Sequence, residues 1–190
     1  MRGKAQIIIL LVFLFTSCND KINDDSQQHS NWKEELKIEF PKLGHRNWIL
    51  VVDKAFPDFA AEDIKTIETK EPLINVINEV KAQLDSQTHV KPIIYKDLEL
   101  DYLNKDILNG IDEFKDDLYK IYPKDSFSTI LHDKVLSKID SASNIFTVLV
   151  LKTETTIPYS SVFIELDCKY WNLELETQLR ENMKKFVDAE

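Results

Sequence analysis

Glycine is nearly absent from this chain: three residues in 190, at positions 3, 44 and 110. So few argue against a Gly-rich loop cradling a phosphate and against the glycine turn of a dinucleotide site. Cysteine is as scarce, with only Cys18 and Cys168. Two thiols build neither a disulfide framework nor a cysteine-based metal site. Of the four histidines, His29 falls in a polar segment near the N-terminus, which argues against a histidine metal centre. Positive charge is in deficit, with 24 Lys and Arg against 33 Asp and Glu and a net charge of −9. A nucleic-acid footprint needs a basic patch, so this balance argues against one. The apolar run at residues 7–15 is too short to span a bilayer as a helix. No Ser-centred nucleophile elbow occurs.

What is present fits a globular protein with a core. Hydrophobic residues make up 43% and charged residues 30%, and the length suggests one domain over residues 32–190. Residues 1–17 read as a secretory signal: Arg2 and Lys4, an apolar run, then Thr16-Ser17 before Cys18. A Cys at that junction resembles a bacterial lipoprotein signal, in which Cys18 is lipidated and becomes the new N-terminus. Phe15 stands where Leu is usual in such signals. Lipid anchors a protein without making it span the membrane. Residues 18–31 are polar and acidic, with Asp20, Asp24 and Asp25, and read as a disordered tether. Acidic residues soon after the Cys also resemble the surface-export signals of Bacteroidetes lipoproteins. The expected location is therefore the membrane of a Gram-negative bacterium, on its periplasmic or cell-surface face.

The chain is organised around residues 43–57, read as turn, strand and turn. Gly44 permits a bend. Trp48–Val52 is a continuous apolar run of the kind that fills a strand covered on both faces. Asp53 follows the strand and Pro57 stops its extension. The carboxyl end of a buried strand is where open α/β sheets place their ligands. His45 precedes the strand, so the strand itself keeps the two apart. They share a site only if the loop folds back or a second subunit supplies one of them. The plainer readings are a helix C-cap for His45 and a turn former for Asp53.

Leu43-Gly44-His45, the strand, and Asp53-Lys54-Ala55-Phe56-Pro57 resemble the early motif of the D-ribose pyranase / L-fucose mutarotase family. A second match lies downstream. The family reads strand, Thr-Gly-Glu, Pro-Tyr-Ala-Asn, strand; here Val148–Lys152 and Thr153-Glu154 lead to Pro158-Tyr159-Ser160-Ser161 and another apolar run. The resemblance covers about residues 34–167. It departs at Ile67-Glu68-Thr69-Lys70, where the family has an Ala-Asp-Gly turn, and at Ser161, where it has Asn.

Periodicity supplies the remaining elements. Residues 32–40 carry Trp32, Leu36 and Phe40 at helical spacing, with Pro41 ending the helix. Pro72 opens a helix with the stripe Leu73, Ile77, Val80 and Leu84. Residues 92–95 read as a short strand. Leu103, Ile107, Ile111, Phe114, Leu118 and Ile121 predict one long core helix. Residues 127–131 read as a strand ending at His132, with a short helix after it, and residues 145–151 and 162–166 as further strands. Leu173–Val187, with Leu175, Leu179, Met183 and Phe186, predicts a C-terminal helix beyond the family's usual end, one that covers an edge or alters assembly. Alternating strands and helices indicate an α/β layered fold. The resemblance sharpens this to a three-layer α/β/α fold with a mostly parallel sheet, D-ribose pyranase-like, plus that extra helix.

The resemblance implies a cofactor-independent monosaccharide mutarotase or pyranase, an isomerase using general acid–base catalysis and no metal. It puts His45 and His132 in the acid–base set. Asp53 would orient an imidazole or accept a sugar hydroxyl, and Tyr159 and Ser161 would contact the sugar. Ribose, fucose or a similar monosaccharide is the implied partner, and a homo-oligomer the implied assembly. The alternative is a non-catalytic sugar-binding lipoprotein, in which Ser161 and the altered turn at residues 68–70 mark lost activity.

Overall fold

The computed structural model describes residues 32–58 and 64–187. The signal segment 1–17 and the tether 18–31, with Cys18, lie outside the described residues. Among the described residues six strands form one sheet: β1 (Trp48–Val52), β2 (Ile64–Glu68), β3 (Val90–Asp97), β4 (Phe127–Ile130), β5 (Val148–Lys152) and β6 (Val162–Cys168). Their order is β2-β5-β1-β6-β3-β4. β5 runs parallel to β1 and β2, and β4 parallel to β3, while β6 is antiparallel to both its neighbours. Five strands therefore point one way and β6 points back. Their carboxyl ends share one edge of the sheet with the amino end of β6.

β1 lies at the centre and all five of its residues are buried. Its even and odd positions face opposite layers, as the two-residue strand period requires. Ile49 and Val51 join a core made with α1 (Trp32–Glu39), α2 (Leu73–Asp85), α3 (Glu99–Tyr102) and α4 (Ile111–Ile121). Trp48, Leu50 and Val52 join a second core under α5 (His132–Ser143), through Val135 and Ile139. The result is the three-layer, mostly parallel α/β/α arrangement read from the sequence.

Three local expectations need correction, and one strand lies where none was read. The bend before β1 turns on Arg46 (φ 73°), and Gly44 keeps a negative φ. Arg46 is held there because its N–H donates to the carbonyl of Leu166 at 2.7 Å, while Asn47 Oδ1 accepts the Gly44 N–H at 2.6 Å. The predicted long helix over residues 103–121 is interrupted. Asn104 Oδ1 accepts the N–H groups of Asp106 and Ile107, an Asx turn, and Gly110 sits at φ 82° as the N-cap of α4. Ile107 is consequently 66% exposed and no core residue. β2 was not legible from the sequence, because only Ile67 in it is buried, as suits a strand at the sheet edge. β3 is longer than the 92–95 segment and contains Pro92, which pairs with Leu166 on β6. Proline is tolerated because the β4 pairing begins only at Ile94, so no neighbour there asks for its missing N–H.

The C-terminal helix α6 (Leu173–Val187) forms as expected, yet Leu175, Leu179 and Met183 stay exposed and join neither core. Among the described residues its apolar side chains cover no edge of the sheet.

Candidate functional site

The carboxyl edge of the sheet gathers the polar residues that the core excludes. In the order β1-β6-β3-β4, the residues at that edge are Asp53 after β1, Ser161 before β6, Asp97 ending β3 and His132 shortly after β4. The Tyr159 turn precedes β6 and leans over the same edge.

Asp53 is fixed at both oxygens. Its Oδ1 accepts the backbone N–H of Ala55 at 2.9 Å, and its Oδ2 accepts the Ser161 hydroxyl at 3.1 Å. The neighbouring loop is clamped to β1: Thr153 Oγ1 donates to the Val52 carbonyl at 2.8 Å, and the Lys54 N–H to the Thr155 carbonyl at 2.8 Å. Tyr159 holds a left-handed backbone (φ 58°), a conformation that costs a non-glycine residue about 1 kcal/mol or more. The Ser160 hydroxyl, donating to the Ile157 carbonyl at 2.6 Å, stabilises that turn. The Tyr159 ring then meets the His132 ring edge-on, with centroids 5.5 Å apart and planes at 83°.

His132 opens α5. Its backbone N–H donates to both carboxylate oxygens of Glu99, at 3.1 and 3.2 Å, so a remote acidic side chain caps this helix. Its Nδ1 lies 3.0 Å from Oδ2 of Asp97. Asp97 is fully buried. Its carboxyl is pushed up to about 6: burial raises it most, the His132 imidazole opposes the rise, and the charges of Glu99 and Asp53 add to it.

A cavity of about 380 Å³ lies over this edge, lined by Asp53, Phe56, His132, Ile157 and Tyr159 among others. That volume is within the range of small-molecule sites. Carboxylate, imidazole and phenol converge on one space, an arrangement able to bind hydroxyls and move protons. Among the described residues no group of three or more His, Cys, Asp or Glu side chains could hold a metal ion.

Of the residues singled out from the sequence, Asp53, His132 and Tyr159 meet at this cavity. Ser161 is 2% exposed and sits behind Asp53, not among the lining residues. His45 is elsewhere. The loop before β1 does not fold back, and the strand interposes about 13 Å by its rise alone. The imidazole is half exposed, its Nε2 3.4 Å from Oδ1 of Asp167, beside a separate groove lined by Arg46, Trp48, Lys138 and Glu165. Asp97 was missed. The signal was an Asp closing an apolar strand, as Asp53 does, but the strand was ended two residues early at Tyr95.

Fold and site together define a class: a three-layer α/β protein with a pocket lined by a carboxylate, an imidazole and a phenol at the carboxyl edge of a mostly parallel sheet. A solved structure shares this fold, and others are similar at lower scores. Bacillus subtilis RbsD complexed with D-ribose superposes with a TM-score of 0.50 at 14% identity, over 70% of this chain and 91% of that one. A fucose mutarotase from Streptococcus pneumoniae in complex with L-fucose gives 0.48 at 12% identity, over 70% and 91%. FucU from Bifidobacterium longum gives 0.45 at 14%, over 70% and 94%. No protein-family model and no curated protein matches the sequence. The likeness is one of fold, distant in sequence, and agrees with the resemblance carried by the two motifs.

Proposed function

We propose that this protein interconverts the anomers or ring forms of a free monosaccharide, without cofactor. The observation that carries the reading is the convergence of Asp53, His132 and Tyr159 on one cavity of about 380 Å³. It is supported by the fold shared with an RbsD solved with D-ribose.

The chemistry asks little of a protein. A base takes the proton of the anomeric hydroxyl, an acid protonates the ring oxygen, and the C1–O5 bond breaks to the open-chain aldehyde. Rotation about C1–C2 and the reverse transfers close the ring on the other face. Protons balance and no electron leaves the sugar. His132 serves as the acid–base group, suited to both roles near neutral pH. Tyr159 donates to a sugar hydroxyl. Each oxygen of Asp53 already accepts one hydrogen bond and keeps a lone pair for another. Positioned proton transfer contributes typically 10² to 10⁴-fold, enough for a reaction that water performs slowly.

His45 enters this scheme only from a second copy, since β1 separates it from the cavity within one chain. The reading therefore includes self-assembly, with His45 of one copy reaching the cavity of the next. It also includes a lipid anchor on Cys18 that holds the domain at a membrane. If Cys18→Ala leaves fatty-acid labelling and membrane fractionation unchanged, the anchor is wrong.

Saturation-transfer NMR on ribose, fucose, galactose and related sugars tests the activity. Exchange above the solvent rate is expected for at least one sugar, falling by about 10² or more in His132→Ala. Binding without enhanced exchange across the panel would instead support a non-catalytic sugar-binding protein, the reading favoured by Ser161 in place of the family's Asn.

A further inference from the structure

Asp97 is placed where a structural carboxylate is costly. It is fully buried at the end of β3, and among the described residues its Oδ1 has no hydrogen-bond partner. Its one side-chain partner is an imidazole, that of His132. The charges that face it are unhelpful: Glu99 at the start of α3 and Asp53 after β1 are both acidic. The neighbouring lysine does not compensate, because Lys96 points to the opposite face of β3 and pairs with Asp101 at 2.6 Å. Buried polar atoms are nearly always paired, so an exception needs a reason.

The reason lies in what the contact does to His132. The ring is held from three sides: Glu99 fixes its backbone N–H, the Tyr159 ring lies edge-on, and Asp97 meets Nδ1. An ionised carboxylate has no proton to give, so Nδ1 must donate. A neutral imidazole carries one N–H, so its other nitrogen is then left with a free lone pair.

We propose that Asp97 is the positioning residue of this cavity: it accepts the Nδ1–H of His132, locks the imidazole in that tautomer, and leaves Nε2 as the nitrogen that takes a proton. The role rests on the acid–base reading of the cavity and refines it. Nε2 is the base toward the anomeric hydroxyl, and as N–H the acid toward the ring oxygen. Asp97 itself touches no substrate: it is not among the residues lining the cavity, and His132 stands between it and the sugar.

The tautomer is measurable without any sugar. In ¹⁵N-histidine-labelled full-length protein at pH 8, with the signals of His132 assigned through His132→Gln, long-range ¹H–¹⁵N correlations should show Nδ1 protonated and Nε2 bare. In Asp97→Ala the majority form should become Nε2–H, the ordinary preference of a free imidazole. Asp97→Asn, close in volume to the native residue, guards against a variant that fails to fold; it should lower kcat by tenfold or more with KM changed less than twofold. A native His132 with Nε2–H in the majority, or a tautomer ratio unmoved in a folded Asp97 variant, overturns the proposal. If the tautomer behaves as expected but no sugar is exchanged, the mutarotase reading fails and the positioning of the ring stands. If exchange occurs and Asp97→Asn alters neither kcat nor tautomer, only the role of Asp97 falls.

Discussion

The Ser161 hydroxyl bridges two groups of one residue: it donates to Oδ2 of Asp53 at 3.1 Å and accepts the Asp53 backbone N–H at 3.3 Å. Ser161 thus ties the amino end of β6 to the carboxyl end of β1 and sets the carboxylate's direction. Removing it in Ser161→Ala leaves a half-buried carboxylate oxygen short of a donor, at a cost of about 1–3 kcal/mol in denaturant unfolding. Ser161→Asn introduces the residue of the motif this loop resembles but must fit a larger side chain into a fully packed position, costing about 1–3 kcal/mol. A Ser161→Asn protein as stable as the native one would show that the position has room toward the cavity.

Asp97 makes stability depend on pH. Its folded-state value of about 6 lies above the ordinary 3.8, so the folded chain holds this proton more tightly than the unfolded chain. The favourable contribution is complete below about pH 4 and is lost as pH rises through 6. At pH 7–8 the protein carries the whole penalty of the buried charge. Asp97→Asn should therefore raise unfolding free energy at pH 7.5 by about 1–3 kcal/mol, with the gain shrinking toward pH 4. A gain of the same size at both pH values, or a loss at pH 7.5, would contradict the assignment. A variant more stable yet less active is the trade expected if the buried carboxylate is kept for the proposed positioning of His132.

The proposed sharing of sites between copies can be tested by complementation. His45→Ala and His132→Ala should each depress exchange. When the two variants are co-expressed, activity should partly return, because a mixed assembly contains sites with both histidines intact. Light scattering on the same samples reports the assembly. A monomer, or mixtures no more active than the variants alone, would remove His45 from the reaction.

The helix α6 contributes little to the stability of one chain. Its apolar positions Leu175, Leu179 and Met183 all remain exposed. A chain ending at Tyr170 should melt within about 2 °C of the full chain, as surface changes usually fall within about 0.5 kcal/mol. A drop of 5 °C or more would mean that α6 is buried in the assembled protein.

Much of this arrangement is written locally. Trp48–Val52 is apolar throughout, so it is a strand buried on both faces, and the stripe Leu73, Ile77, Val80 and Leu84 commits α2 to the core. Asp53 and His132 were legible because each stands where an apolar run ends, Tyr159 because it sits in the loop between two such runs, and all three because the motifs around them resemble a known family. Short-range rules cover these residues: period, capping and turn chemistry act within a few positions. They failed where local signals were overruled. Asn104 and Gly110 break a helical stripe, and Arg46 takes the left-handed bend that Gly44 was expected to make.

Tertiary structure decided who meets whom. Asp97 and His132 are 35 residues apart and become partners only because β3 and β4 are neighbours with aligned carboxyl ends. Asp53 and Ser161, 108 residues apart, meet because β6 runs against β1 and returns its amino end to the same edge. His45 and Asp53, though near in sequence, are kept apart because an extended strand advances about 3.3 Å per residue. Sequence spacing sets which residues end a strand; the order and direction of the strands set which of those ends share a cavity.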